Sequence, residues 1–218
     1  EIGVARGLNR LGIFMIELGE AEQGEATLHE AVVACERLGL IGLHRGSLYN
    51  LCCLYSAQGR SAQVLACARS IWALQPPMER SELRVMVHLA FVDAQVALGD
   101  LGDAWVHVQA AAQDAQARGQ PLSAAAVVLT GIELLGLLGA RAVVEQLQAS
   151  LSDDALREMP QVANEMWVAR AHFELLLGDV AAAGHTLAQI ATPAQIENAR
   201  IQLRHGVTAA ECALAQGR

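Results

Sequence analysis

The side chains able to do chemistry in this 218-residue chain are few and scattered. Five cysteines, Cys35, Cys52, Cys53, Cys67 and Cys212, include no CxxC pair, and a metal site of the usual kind needs ligands at such spacings. Cys52 and Cys53 are adjacent, so on a helix they point about 100° apart and cannot close on one ion. We expect reduced thiols, no metal and, from that redox state, a cytoplasmic location. The histidines His29, His44, His88, His107, His172, His185 and His205 include no pair at i, i+4 spacing. Except for His172, they carry no expected role.

All 15 basic residues are arginine, because the sequence has no lysine. That excludes a Walker-type phosphate loop, which needs its lysine, and Schiff-base chemistry, which needs an amine. A formal net charge of -8 argues against nucleic-acid contact, which draws its strength from clustered cations. Arg200 and Arg204 read as a solvated stripe. The lysine-free, alanine- and arginine-rich composition points to a GC-rich bacterial source.

The elements that must carry these side chains are helices. Hydrophobic residues make up 53% of the chain but aromatics only 4%, which fits helices packed through small aliphatic side chains. A glycine closes each of six helical stretches, Gly19, Gly59, Gly99, Gly139, Gly178 and Gly217, at intervals of 39 or 40 residues. Helices commonly stop on a residue in the left-handed conformation, which glycine enters without a clash. The next helix then starts, in three cases with an acid at Glu20, Asp100 or Asp179, suited to a helix N-terminus. Apolar spacing agrees: Leu8, Leu11, Met15 and Leu18 follow three- and four-residue steps, as do Leu48, Leu51, Leu54 and Tyr55. The apolar run from Leu122 to Ala140 contains Glu133, Thr130 and three glycines, and reads as a buried helix rather than a membrane span.

Aligned on the glycines, the chain places apolar or small residues eleven and seven before each one and a small residue five after it. Leu8, Gly12 and Gly24 are one set; Leu48, Cys52 and Val64, and Trp167, Ala171 and Ala183, are two more. With Leu51, Tyr55, Ala68 and the helix-ending Pro76, this pattern resembles the tetratricopeptide repeat. The period near 40 is similar to the longer repeats of kinesin light chains and of helical-repeat sensor domains in bacterial regulators. The resemblance spans the whole chain and is weakest in the fourth repeat, where Val144 and Gln148 replace the expected residues. It implies an all-α fold: a right-handed α-solenoid of antiparallel helix pairs, about five and a half repeats long, forming a single domain over 1–218. The repeats would cover about 1–39, 40–78, 79–119, 120–159 and 160–192, with a final helix over 193–218. Trp72 and Trp105 would fill gaps between repeats.

In such a superhelix the first helix of every pair lines a concave groove. The resemblance therefore implies a groove built from Arg6, Asn9, Ile13 and Glu17, then Tyr49, Asn50 and Cys53, then Leu89 and Asp93, Leu129 and Glu133, and Val168 and His172. Asn9 and Asn50 each have a donor and an acceptor with which to hold an extended peptide backbone, and Tyr49 is a candidate anchor. Asp93 and Glu133 suit a cationic group on a ligand. Acid–base catalysis by them would need a closed pocket and an orienting group, so no enzyme, no catalytic residue and no cofactor is expected.

The expected function is a protein- or ligand-binding regulatory module cut from a larger bacterial signalling protein, with a transcriptional regulator as the expected parent. Its partner would be a peptide, a protein or a small-molecule inducer, with further domains of the parent chain and without membrane or direct nucleic-acid contact. A free-standing adaptor for protein–protein interaction is the alternative.

Overall fold

The computed structural model describes residues 1–79, 81–118, 127, 130, 131, 134, 160–190 and 199–215, and all regular structure among them is helical. The chain divides into two compact units, Glu1–Asp114 and Ala115–Arg218. The first unit contains α1 (Ile2–Glu17), α2 (Ala21–Arg37), α3 (Ile41–Ala57), α4 (Ser61–Ala73), α5 (Glu82–Leu98) and most of α6 (Leu101–Arg118). The second contains α7 (Pro160–Leu176), α8 (Val180–Leu187) and α9 (Ala199–Ala215). No described helix is long and apolar enough to cross a membrane, and the apolar run 122–140 lies almost wholly outside the described residues.

One turn, repeated, builds the helix pairs. At Gly19 the glycine N–H donates to Ile16 O, while the following Glu20 N–H reaches back to Met15 O. The same two bonds close α2 at Gly39, α3 at Gly59, α5 at Gly99 and α7 at Gly178, the Schellman arrangement that satisfies carbonyls otherwise left without partners. Gly99, with φ of 85°, shows why the residue must be glycine, because a side chain there meets the following carbonyl. Only one residue separates the glycine from the next helix, so the chain doubles back at once. Asp179 then caps α8, accepting from Ala182 N–H at 3.0 Å; Glu20 makes no such side-chain bond.

The small residues seven before and five after each turn glycine mark where the two helices cross. A Cβ on Gly12 would lie 2.7 Å from Leu28 Cγ, and one on Gly24 would lie 2.8 Å from the Gly12 carbonyl oxygen. At the equivalent crossing of the next pair, the Cys52 thiol donates to Val64 O at 3.7 Å. Val92 and Ala104 in the third pair and Ala171 and Ala183 in α7 and α8 are buried in the same register. Pairs then stack. Leu28 of α2 joins Leu48, Leu51 and Tyr55 of α3, Val64, Ala68 and Ile71 of α4, and Val87 and Phe91 of α5 in one core. In the second unit Val168 and Ile190 pack with Trp167 and Leu187, and the Cys212 thiol of α9 donates to Val180 O. None of the five cysteines is in a disulfide, and Cys53 is the exposed one.

Candidate functional site

The expected groove residues of the first unit sit on α1, α3 and α5. Arg6, Glu17 and Asp93 are exposed, and Asn9, Ile13, Tyr49, Asn50 and Leu89 are half-buried. Two of them meet. Asn9 Oδ1 accepts from Asn50 Nδ2 at 3.0 Å and from Ser47 Oγ at 2.9 Å, so α1 and α3 are joined by a polar bridge on this face. Each amide therefore has half of its capacity committed: Asn9 keeps its Nδ2 donor and Asn50 its Oδ1 acceptor for anything that approaches. Expecting each asparagine to grip a backbone alone overlooked this bond. Together the two residues still present one donor and one acceptor.

Beside them, the Tyr49 phenol is pushed well above its ordinary range, first by burial and then by Cys53, Cys52 and Asp93 nearby. Its ring packs on the core, so the tyrosine stays protonated and serves as a neutral donor on a fixed platform. In the second unit Val168 is buried, and His172 Nδ1 lies 3.7 Å from Glu211 Oε2. Leu129 and Glu133 fall outside the described residues.

Two polar clusters in the first unit were not read from the sequence as sites. In the first, Glu25 of α2 takes a two-pronged pairing from Arg60, 2.7 Å from Nη1 and 3.0 Å from Nη2. Glu25 also accepts from the Tyr55 hydroxyl at 2.9 Å, and His29 Nε2 lies 2.9 Å from that hydroxyl. The Arg60 guanidinium beside Glu25 holds its carboxyl below the ordinary value. Burial and the Glu25 bond push Tyr55 up to about 12.

The second cluster lies deeper. Arg84 of α5 reaches Asp114 of α6, Nε to Oδ2, at 2.6 Å, and stands over the Trp72 ring. His88 and Asp114 are each 3% exposed. His88 Nδ1 is 2.9 Å from His107 Nδ1, its Nε2 is 3.8 Å from Asp114 Oδ2, and the His107 ring stacks on Phe91 at 4.3 Å. Two Nδ1 atoms facing each other require one ring to donate and the other to accept, so both cannot be protonated. Burial, then the neighbouring His107, depresses His88 to about 4, and burial also lowers His107. Trp72, expected as gap filler, is 41% exposed and lies edge-on against His88 and Phe91.

The available signal for the deeper cluster was a break in register. His88 occupies the position of Leu8 and Leu48, and Asp114 that of Ala34 and Leu74. A polar residue at a repeatedly apolar position has to find a partner inside the fold. Both clusters bond side chains from different helices, which suits them to fixing how helices pack. Among the described residues no group of three histidine, cysteine or acidic side chains is placed to hold a metal ion.

Between α1 and α2 an open groove of about 450 Å³ is lined by Val4, Leu8, His29, Val33, Ala34 and Arg37. It shares His29 with the Glu25–Arg60 cluster, and none of its lining residues belongs to the Asn9–Asn50 bridge or to the Asp114 cluster. Compared with models of protein families, with curated proteins and with solved structures, the chain gives no match.

Proposed function

We propose that this chain is a binding module of the tetratricopeptide type, a right-handed α-solenoid whose first helices hold a peptide, protein or small ligand. The observation that carries this reading is the Asn9–Asn50 bridge. It sets one amide donor and one amide acceptor side by side on successive first helices, with the Tyr49 ring beside them. An extended backbone offers the complementary pair at each residue, and such groups gain from being fixed before the ligand arrives. The recurrent glycine turns and crossing residues support the repeat reading, and exposed Asp93 favours a ligand bearing a cationic group. In this reading the module belongs to a larger bacterial regulator, in which the ligand acts by binding one global state more tightly than another.

The test is thermal unfolding of the 218-residue chain against a panel of arginine-containing extended peptides and small inducers, repeated with Asn50→Ala. A ligand binding only the folded state raises Tm. The expected result is a rise for a subset of the panel that shrinks in the variant, while the variant's own Tm changes little. A rise of the same size in Asn50→Ala would remove the asparagine pair from the site. A free-standing adaptor would respond to its protein partner alone.

A further inference from the structure

The outward face of α1 is apolar and uncovered. Leu11 is 45% exposed, Phe14 54%, Leu18 61% and Val4 63%. The positions in the register of Leu11 and Phe14 in the next two helix pairs are covered: Leu51 and Leu54, and Phe91 and Ala94, are all buried, while Leu98, in the register of Leu18, is 50% exposed. The first pair therefore carries a face that the later pairs bury against other helices. An isolated exposed leucine would be unremarkable, but a continuous apolar stripe along a helix marks an interaction surface.

The spacing of that stripe and the charges beside it fit a second copy of α1. Val4, Gly7, Leu11, Phe14 and Leu18 fall at alternating three- and four-residue steps, the seam of a two-helix coiled pair. Laid antiparallel on itself with Leu11 opposite the partner's Phe14, the seam is self-complementary. Phe14 then meets the partner's Leu11, and Leu18 meets the partner's Gly7. Gly7 is open, with nothing within 4 Å of where a Cβ would stand, so it receives the leucine. On one flank this register sets Arg10 opposite the partner's Glu17, twice by symmetry, and both residues are exposed. On the other flank half-buried Leu8 meets the partner's Met15, which also covers the edge of the α1–α2 groove. Bulky residues against small ones and opposite charges across the flank favour this register over a parallel one, in which Arg10 would face the partner's Met15 and no such ion pair would form.

We propose that the chain forms a twofold-symmetric dimer through antiparallel pairing of α1 with α1 of a second copy. Such a surface is isologous, each copy supplying the same patch. The apolar seam of the dimer lies on the side of α1 away from Asn9, and Glu17 is the one expected groove residue that also borders the seam.

The experiment is sedimentation or light scattering of the 218-residue chain across a concentration series. A particle of twice the 23.1 kDa chain mass is expected, with Phe14→Glu reducing it to a monomer that keeps its helical circular dichroism. Reversing one charge, Arg10→Glu or Glu17→Arg, should weaken association about tenfold, and combining the two reversals should restore it. A wild-type monomer throughout the series would overturn the proposal. So would a dimer that Phe14→Glu leaves intact, or a double reversal no tighter than the single ones.

Discussion

The two polar clusters of the first unit use similar residues to opposite effect. Around Glu25 an acid, an arginine, a tyrosine and a histidine meet near the surface, with 35% of the Arg60 side chain and 21% of the Glu25 side chain exposed. Around Asp114 an acid, an arginine and two histidines meet where the Asp114 and His88 side chains keep only 4%. Water can replace a lost partner in the first and not in the second. The shallow cluster therefore adds specificity at little risk, whereas the deep one stabilises the fold only while every member is in place.

The sharpest way to break this contrast is Asp114→Ala. It strands Arg84 and leaves a buried polar site without its acid, and a loss of about 3 kcal/mol in urea unfolding is expected. A loss no greater than that of a surface substitution would show the deep cluster to be as dispensable as the shallow one.

Acid pH separates the clusters next. His88, depressed to about 4 from an ordinary value of 6.5, binds a proton more readily in the unfolded chain. Its groups in contact are His107 and Asp114 on α6, Arg84 on α5 and the Trp72 ring on α4. Its stabilisation is complete above pH 6.5 and falls away toward pH 4, by about 3 kcal/mol in all. Glu25 has the same sign in a lower window: its lowered pKa gives stability present above 4.5 that is lost as pH falls further. Unfolding free energies measured from pH 7.5 to 4 should thus decline before any carboxylate of the shallow cluster is protonated. A flat profile down to pH 5 would contradict the His88 assignment.

The smallest effect belongs to the shallow cluster. Tyr55→Phe removes one hydroxyl from Glu25 and His29 while Arg60 stays in place, and a loss of about 1 kcal/mol is expected. The remaining Glu25–Arg60 pair should weaken as salt is added, because exposed pairs are screened. Salt should leave the effect of Asp114→Ala unchanged.

Much of the fold was legible in the sequence because it depends on backbone rules. Gly19, Gly59, Gly99 and Gly178 all take positive φ and end helices as their spacing implied, and Gly12 and Gly24 proved to be a close crossing. Gly39 makes the same turn but was overlooked, since it joins one pair to the next and the alignment was made within pairs. The groove was legible only as a set of positions. That Asn9 would bond Asn50 depends on the stagger between α1 and α3, which periodicity does not encode. The deep cluster was missed for a related reason: His88, His107 and Asp114 are close only when α5 and α6 have folded together, and no two of them share a turn of helix.

The two-bond glycine turn has a kinetic consequence. Because each turn reverses the chain within three residues, most helix partners are sequence neighbours, and bringing them together closes only a short loop. Chains with such local contacts fold quickly, without a search for distant segments. Several hairpins are equivalent starting points, so a damaged turn at one glycine slows its own hairpin while folding begins at another.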